Sequence, residues 1–308
     1  MKKLTALLLA ILIMISFSSC GAETSTEGTV SEAVTDTAIT AKESTGEFTV
    51  TTEDGTYSGE DGVYTISSAG TYMLKGSLEG QIIVDAGDDD EVVIELSGVT
   101  ITCDTDSPIK ILNADKVEIS AKKDTENVIN DKRTPGSGDD TQGKGAIYAK
   151  CDLKLKGKGT LVISAGYNNG IHTTKDLEIK NLTLKVTAYN NALKGDDSVT
   201  VTSGTVVAIS TNGDGVKTEN TDVSKKGVTR GDIVISGGTF TVYAAGDGFQ
   251  AAHNFVLTSE DGEIPTVTVY TGSYSGYTAS DADTTSYKGV KAQNEINISE
   301  GSIAIQAY

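Results

Sequence analysis

A short motif that recurs at a nearly fixed interval constrains the fold of this chain more than any other feature. Each copy is a Gly or Ala followed by an apolar and then a polar residue, and the copies begin at Ala146, Gly170, Ala192, Gly215, Gly248 and Gly289. The first three intervals are 24, 22 and 23 residues. The last two, 33 and 41, contain insertions near 221–230 and 259–285. A repeat of 20–50 residues is typical of a solenoid or a repeat array.

Apolar residues at every second position fill each repeat. One pair begins seven residues after each motif, apart from the copy at Gly215, where an insertion intervenes. A second pair follows as Leu161/Ile163, Leu184/Val186, Val207/Ile209, Phe240/Val242 and Ile303/Ile305. Each unit thus holds three short strands that cannot bury their apolar side alone, but units stacked about 4.8 Å apart would share one core.

The sequence therefore predicts an all-β parallel β-helix of 22–24-residue rungs. Alternation by two and the abundance of Thr, Val and Ile argue against helices, and a propeller would need units of about 40 residues. Residues 57–140 contain the same kind of strand and are expected to form the first rungs. The predicted β-helix domain spans 57–308.

Composition excludes several classes of function. The net charge of −18 opposes binding to nucleic acid, which requires a basic surface. Two histidines and three cysteines leave no zinc-finger pattern and no disulfide framework. Cys103 and Cys151 are about two rungs apart, so buried free thiols are expected, although export leaves a disulfide bridge open.

The N-terminus has the pattern of an export signal. Lys2 and Lys3 precede a short apolar run, and small residues precede Cys20 in a sequence that resembles a bacterial lipobox. We expect residues 1–19 to be a signal peptide and Cys20 to carry a lipid. Residues 20–56 are expected to be a Thr/Ser/Glu-rich tether, with a short strand near 48–52. The predicted location is extracytoplasmic, with membrane contact only through the lipid.

The motif starts, together with corners such as Ser236-Gly237-Gly238-Thr239, resemble a secreted bacterial family of carbohydrate-binding β-helix proteins related to pectate lyases. The resemblance covers roughly residues 60–308. It implies a right-handed parallel β-helix, bound calcium, and binding of cellulose-like or pectin-like polysaccharides at the cell surface without established lyase activity. The alternatives are a calcium-dependent polysaccharide lyase and a surface scaffold or adhesin without sugar specificity.

One departure from the related lyases bears on catalysis. Their calcium motif resembles Asp-Asp-Gly-x-Asp, whereas the best-aligned stretch here is Asn190-Asn191-Ala192-Leu193-Lys194. Amides and a cation therefore stand where the lyases have carboxylates. This difference argues against β-elimination, which uses calcium to acidify the proton that is removed.

The polar position of each motif predicts an outward column of side chains. Its members are Tyr148, His172, Lys194, Lys217, Gln250 and Lys291. Lysines at one-rung spacing suit a chain of uronate carboxylates, so we predict that His172, Lys194, Lys217 and Lys291 bind ligand. The alternative is a solvated face with no ligand.

Carboxylates near the motif starts are candidate calcium ligands. These are Asp196, Asp197, Asp214 and Asp247, and carboxylate oxygens are ligands that calcium prefers. The positions of Asp214 and Asp247 are those of Asn169 and Asn191 in earlier repeats. A ladder of stacked amides and carboxylates, which would be purely structural, is therefore the alternative.

Tyrosine must supply any aromatic contact with sugar, since the chain lacks Trp. The candidates are Tyr167 and Tyr189 on successive rungs, and Tyr274 and Tyr277 in the long insertion, which also contains Tyr270 and Tyr287. Alternatively, the insertion tyrosines cover an apolar patch. The chain ends just after a predicted strand, so we also expect an open edge, either because the sequence is truncated there or because the end packs on another molecule.

Overall fold

The computed structural model describes residues 39–139, 141–260, 262–278 and 287–307. The predicted signal peptide and Cys20 lie outside these ranges. The described residues form β-strands, turns and one short 3₁₀ helix at Gly272–Ser275. No helix among them is long and apolar enough to cross a bilayer.

The strands of the described residues are, in chain order, β1 (Thr49–Thr51), β2 (Tyr57–Glu60), β3 (Val63–Ile66), β4 (Gly70–Glu79), β5 (Gln81–Asp85), β6 (Glu91–Cys103), β7 (Ile109–Asn113), β8 (Lys116–Ala121), β9 (Glu126–Asp131), β10 (Gly145–Ala149), β11 (Asp152–Gly157), β12 (Thr160–Ala165), β13 (Asn169–Thr173), β14 (Asp176–Lys180), β15 (Leu182–Ala188), β16 (Leu193–Gly195), β17 (Ser198–Val201), β18 (Gly204–Ser210), β19 (Val216–Lys217), β20 (Asp232–Ile235), β21 (Thr239–Ala244), β22 (Phe249–Ala251), β23 (Asn254–Leu257), β24 (Thr266–Thr271), β25 (Val290–Ala292), β26 (Glu295–Ile298) and β27 (Ser302–Gln306).

These strands stack into three parallel faces. The first sheet has the order β2-β3-β5-β7-β10-β13-β16-β19-β22-β25. The second sheet runs from β8 through β11, β14, β17, β20 and β23 to β26, and the third from β9 through β12, β15, β18, β21 and β24 to β27. The long strands β4 and β6 contribute to both of the latter, and β6 bends between them at Gly98, whose φ of 75° suits glycine. The predicted solenoid of parallel strands is confirmed.

The core is a set of continuous apolar columns inside the three faces. In the first sheet, Ile109, Ile147, Ile171 and Leu193 are in register and fully buried. Such columns bury the alternate residues that no single rung could hide, which is the main stabilising term of a solenoid. Near the C-terminal end the rings of Phe240, Phe249 and Phe255 fill the same space, with centroids 5.1–5.5 Å apart.

One inward pair differs from the prediction. In β18 the inward residues are Val206 and Ala208, which lie beside Phe240 and Val242, whereas Val207 and Ile209 point outward. The run Thr-Val-Val-Ala-Ile is apolar on both faces, so alternation alone does not fix which side is buried. The outward pair forms a small separate cluster with partners that include Tyr243 and Ile39.

The segment before residue 57 is attached to the β-helix over its described part. β1 pairs antiparallel with β4, as the predicted short strand allows, and covers the edge of the first rung. The backbone N–H of Ser44 donates to Thr100 Oγ1 (2.8 Å), and that of Lys42 donates to Glu126 Oε2 (2.7 Å). Residues 42–56 are therefore not a free tether, and the folded part begins upstream of the predicted boundary at 57.

Candidate functional site

The predicted outward column runs along the first sheet, and we call it the ridge. Its members are in register on successive rungs and are Lys110, Tyr148, His172, Lys194, Lys217, Gln250 and Lys291. The order from Tyr148 to Lys291 is the predicted one, and Lys110 extends it by one rung. Neighbouring members lie about 4.8 Å apart along the solenoid.

The two central lysines of the ridge are paired with carboxylates. Lys194 Nζ lies 2.7 Å from Glu219 Oε2 and 3.4 Å from Asp196 Oδ1. Lys217 Nζ lies 3.6 Å from Asp214 Oδ2 and from Glu219 Oε1. Burial alone would raise the pKa of Glu219, but the hydrogen bond and charge of Lys194 outweigh it and lower that pKa. A uronate at this position would compete with carboxylates that are already in place.

The ends of the ridge are paired in the same way. Lys110 Nζ lies 2.6 Å from Asp106 Oδ2, and Lys291 Nζ lies 3.6 Å from Asp247 Oδ2. Carboxylates flank the ridge on both sides because acidic residues precede some of its strands and follow others. The ridge is therefore a strip of alternating charge rather than a row of free cations.

The histidine of the ridge points outward but is buried. His172 is 4% exposed, and its ring meets the ring of Tyr148 edge to face with centroids 5.4 Å apart. Its Nε2 lies 3.2 Å from Asp196 Oδ1, while its Nδ1 has no hydrogen-bond partner. Burial would raise the pKa of Asp196, but the hydrogen bond and charge of His172, together with Lys194, lower it. Ligand can reach this histidine only if its neighbours move.

The residues just before the motif starts form the ladder of stacked amides and carboxylates that was the alternative to a calcium site. Asn191 Nδ2 donates to Asn169 Oδ1 (2.8 Å), and the backbone N–H of Asp214 donates to Asn191 Oδ1 (3.0 Å). The N–H of Asp247 donates to Asp214 Oδ1 (2.9 Å), and that of Lys288 donates to Asp247 Oδ1 (2.8 Å). Each side chain thus satisfies a backbone donor of the next rung, and burial raises the pKa of Asp214.

The remaining two aspartates point in different directions. Asp196 pairs with His172 and Lys194 of the ridge. Asp197 is buried and accepts hydrogen bonds from Arg230 Nε (2.9 Å) and Asn220 Nδ2 (2.5 Å). Calcium takes six to eight converging oxygens, and the described residues contain no group of three or more acidic, His or Cys side chains arranged to hold a metal ion. The four predicted aspartates therefore do not fit one shared calcium ion. Calcium binding elsewhere in the chain stays a prediction.

The predicted tyrosines are divided among different surroundings. The guanidinium of Arg133 lies 4.3 Å from the ring centroid of Tyr167, so one face of this ring is covered. Tyr189 is half-buried. Tyr277 packs on the cluster that contains the parallel rings of Tyr243 and Tyr270, 4.9 Å apart, so it serves as cover for an apolar patch. Tyr274 is 41% exposed.

A groove that sequence reasoning missed lies where the first sheet turns into the second. It has a volume of about 730 Å³. Its floor consists of outward residues at the starts of successive strands, and its overhanging wall is a β-hairpin over residues 222–230, which we call hairpin 222–230. The charged side chains that line the groove include Asp88, Asp115, Asp152, Asp176 and Asp232 on the floor, Lys150 and Lys175 beside them, Lys225 and Lys226 on the hairpin, and the pair of Asp197 and Arg230 at the base of the hairpin.

The lysines of the groove differ from those of the ridge because they are unpaired. Lys150, Lys175, Lys225 and Lys226 are exposed and form no ion pair with any described residue. Their nitrogens remain available to a ligand. For Lys225 and Lys226, the sequence signal was the insertion at 221–230. The spacing of the repeats revealed this insertion but not which part of the solenoid it would lie against.

The carboxylates of the floor repel one another. Burial raises the pKa of Asp152, and the negative charges of Asp176, Asp115 and Asp197 raise it further. Asp176 Oδ1 accepts a hydrogen bond from Ser198 Oγ (2.7 Å) on the next rung. Hydrogen bonds donated by a ligand, such as those from sugar hydroxyls, would therefore stabilise the carboxylates of the floor.

Both predicted thiols are buried and free. Cys151 lies beside the floor, and burial, followed by the charge of Asp152, raises its pKa to about 12. The thiol is thus protonated at neutral pH and acts as an apolar group. Cys103 is likewise not bridged.

Comparisons with known proteins place this chain in a family. The family model described as carbohydrate-binding domain-containing protein matches residues 60–308, and the chain belongs to that family. A relative from Acetivibrio thermocellus, also described as a carbohydrate-binding domain-containing protein, is 38% identical over 125 residues. That match covers 39% of this chain and 44% of the relative, so the chain spans less than half of the relative's length.

A solved structure is similar over most of its length. It is described as the structure of the polysaccharide lyase-like protein from C. thermocellum, gadolinium derivative. It is 32% identical to this chain with a TM-score of 0.69, and the match covers 82% of this chain and 94% of that one. The expected relation to a carbohydrate-binding, pectate-lyase-like family is therefore confirmed.

Proposed function

We propose that this protein binds polysaccharide chains, without cleaving them, in the groove between the first and second sheets. The observation that carries the proposal is the presence of unpaired lysines and floor carboxylates in one groove. Together they offer hydrogen-bond donors and acceptors to the hydroxyl groups of a sugar chain. Equivalent rungs repeat about every 4.8 Å, roughly half the length of an extended disaccharide.

Family membership supports a carbohydrate as the ligand class. Within that class, cellulose-like and pectin-like chains are the candidates that the sequence resemblance suggested. The floor carboxylates Asp152 and Asp176 stand at the first positions of β11 and β14, so little ordering cost opposes contact with this part of the floor. Export and lipid attachment through Cys20 would place the groove at the cell surface, where such polymers are met.

The first experiment measures binding of the intact chain to cello-oligosaccharides and to polygalacturonate by titration calorimetry. Binding to at least one of them is expected. A protein that binds neither, and no other polymer on a carbohydrate array, would exclude the binding function and favour the scaffold.

A lyase is the second candidate, since the similar solved protein is described as lyase-like. Lys150 and Lys175, which are unpaired in the groove, could each supply a base for β-elimination. Incubation with polygalacturonate and calcium, followed at the absorbance of unsaturated products, separates the two functions. We expect the absorbance to rise no faster with the wild type than with the Lys150→Gln/Lys175→Gln variant, which lacks both candidate bases.

Calcium is tested separately from sugar. The similar solved protein is a gadolinium derivative, which supports a trial of calcium-like cations. A cation that binds the native state alone raises the melting temperature. A rise in millimolar calcium relative to chelator would reveal a calcium site, and its persistence in Asp214→Asn/Asp247→Asn would show that the site does not depend on these two aspartates.

A further inference from the structure

Hairpin 222–230 is an insertion that the solenoid itself does not require. Val223 bridges Thr229 across its two arms, and the backbone N–H of Ser224 donates to the carbonyl of Val228 (2.8 Å). The tip turns at Gly227, whose φ of 78° suits glycine. The hairpin is thus a small ordered element with its own hydrogen bonds.

The base of the hairpin is fastened to the rung below it. Arg230 Nε lies 2.9 Å from Asp197 Oδ2, and the N–H of Gly231 donates to the carbonyl of Asp197 (2.6 Å). Asp197 is almost fully buried while the Arg230 side chain is 33% exposed, so the contact is shielded from water on the Asp197 side and holds the hairpin beside the groove. Asp197 is therefore a positioning residue for the wall.

The tip carries positive charge without a partner. Lys225 and Lys226 are exposed, line the groove and form no ion pair with any described residue. Val223 and Val228 are 64% and 60% exposed, so the tip is not packed against the solenoid. In a chain of net charge −18, two adjacent free lysines form a local positive site.

The two sides of the groove therefore differ in net charge. The tip of the hairpin carries Lys225 and Lys226, whereas the floor side carries more carboxylates than ammonium groups, with Asp88, Asp115, Asp152, Asp176 and Asp232 against Lys150 and Lys175. The floor presents Asp115, Asp152 and Asp176, which repel an acidic group that faces them. The hairpin presents ammonium groups, which attract it. A chain with carboxylates on one edge would lie with its hydroxyls toward the floor and its carboxylates toward the hairpin.

We propose that hairpin 222–230 determines specificity, and that Lys225 and Lys226 select carboxylate-bearing polysaccharides over neutral ones. This inference rests on the proposed function of the groove. The floor, in this arrangement, contributes affinity for any sugar chain of suitable width. The hairpin contributes the preference for an acidic one.

The test compares Lys225→Gln/Lys226→Gln with a control of equal charge change, Lys123→Gln/Lys158→Gln, whose positions lie outside the groove. The two polymers are polygalacturonate and its fully methyl-esterified form, which lacks the charge. Loss of two exposed charge contacts should weaken binding to polygalacturonate about tenfold at low salt. Binding to the ester should change less than twofold, and the control should match the wild type.

Salt provides a second readout. Wild-type affinity for polygalacturonate should fall as ionic strength rises, and the hairpin variant should show a shallower fall because fewer charges are screened. Polygalacturonate should also protect the Lys225–Lys226 bonds from trypsin, whereas the ester should protect them less.

The outcomes separate this inference from the proposed function. Wild-type binding to both polymers, with equal loss or no loss in the hairpin variant, overturns the inference and leaves the proposed function standing. Failure of the wild type to bind either polymer overturns the inference, and the proposed function falls with it only if cello-oligosaccharides and the polymers of the carbohydrate array are not bound either. A loss confined to the acidic polymer supports both.

Discussion

The ridge and the groove are both rows of charged side chains on the outside of one solenoid, yet their charges are differently engaged. On the ridge, Lys194 and Lys217 share the carboxylates of Glu219, Asp196 and Asp214. In the groove, the lysines have no such partners among the described residues. Charge that is already paired contributes to the fold, and charge that is left unpaired remains available to a ligand.

Local architecture explains the difference. On four of the seven rungs of the ridge, those of Lys110, Lys194, Lys217 and Gln250, the turns that flank the strand carry acidic residues, and these residues pair with the ridge lysines. The groove lysines stand on turns and on an insertion, where no repeat supplies a partner. Substitutions should therefore affect stability on the ridge side and binding on the groove side, and the following predictions test that division.

The largest expected effect is at the N-terminal end of the ridge. Arg133 Nη2 lies 2.7 Å from Asp131 Oδ2, and both side chains are fully buried. Arg133→Ala would leave a buried carboxylate without its partner, so the free energy of unfolding should fall by about 3–5 kcal/mol. Urea unfolding measures this, with Lys150→Ala in the groove as the control, which should stay within about 0.5 kcal/mol of wild type. Similar losses in the two variants would remove the distinction between the two regions.

A smaller effect is expected where the ladder borders the ridge. Asp247 is 1% exposed, and its Oδ1 accepts from the backbone of Lys288. Asp247→Ala should destabilise the protein by about 1–3 kcal/mol because a buried donor loses its acceptor. Asp247→Asn keeps an acceptor in place and should cost less. If the Asn variant lost as much as the Ala variant and calcium rescued the wild type alone, Asp247 would be a metal ligand rather than a ladder member.

The smallest effect concerns pH. Burial raises the pKa of Asp214 in the folded protein, so protonation favours the fold. The stability linked to this group is full below the unfolded pKa and is lost as pH rises through the folded pKa. Asp214→Asn removes that loss, so the free energy of unfolding of the variant should rise relative to that of the wild type as pH increases above the ordinary aspartate pKa, as pH-dependent melting measures. A stability difference between the variant and the wild type that does not change with pH would mean that the charge of Lys217 fully offsets the cost of burying the Asp214 carboxylate.

Much of the fold could be predicted because the repeat carries its own register. The nearly equal spacing of the motif starts at 146, 170 and 192 places Tyr148, His172 and Lys194 in one column, and the structure confirms that column. Where alternation is ambiguous, as in the apolar run around Val207 and Ile209, the prediction of the inward side was wrong. The outer cover there comes from distant residues, which no local pattern reveals.

The candidate site was less predictable for the same reason. An outward position indicates direction but not exposure, so the burial of His172 under Tyr148 and Asp196 could not be read from spacing. The groove depends on the contact between Arg230 and Asp197, which are 33 positions apart in the sequence and meet only after the insertion folds back. Contacts of this kind are set by tertiary structure alone.

The central claim is that the groove, and not the ridge, binds polysaccharide. The most direct measurement compares Lys150→Gln/Lys175→Gln with Lys194→Gln/Lys217→Gln for binding to the polymer that the wild type prefers, at low salt and with melting temperatures recorded. The groove variant should lose about tenfold in affinity with little change in stability, while the ridge variant should keep wild-type affinity and lose stability. Loss of binding in the ridge variant, with an intact groove variant, would contradict the account and restore the ridge as the binding surface.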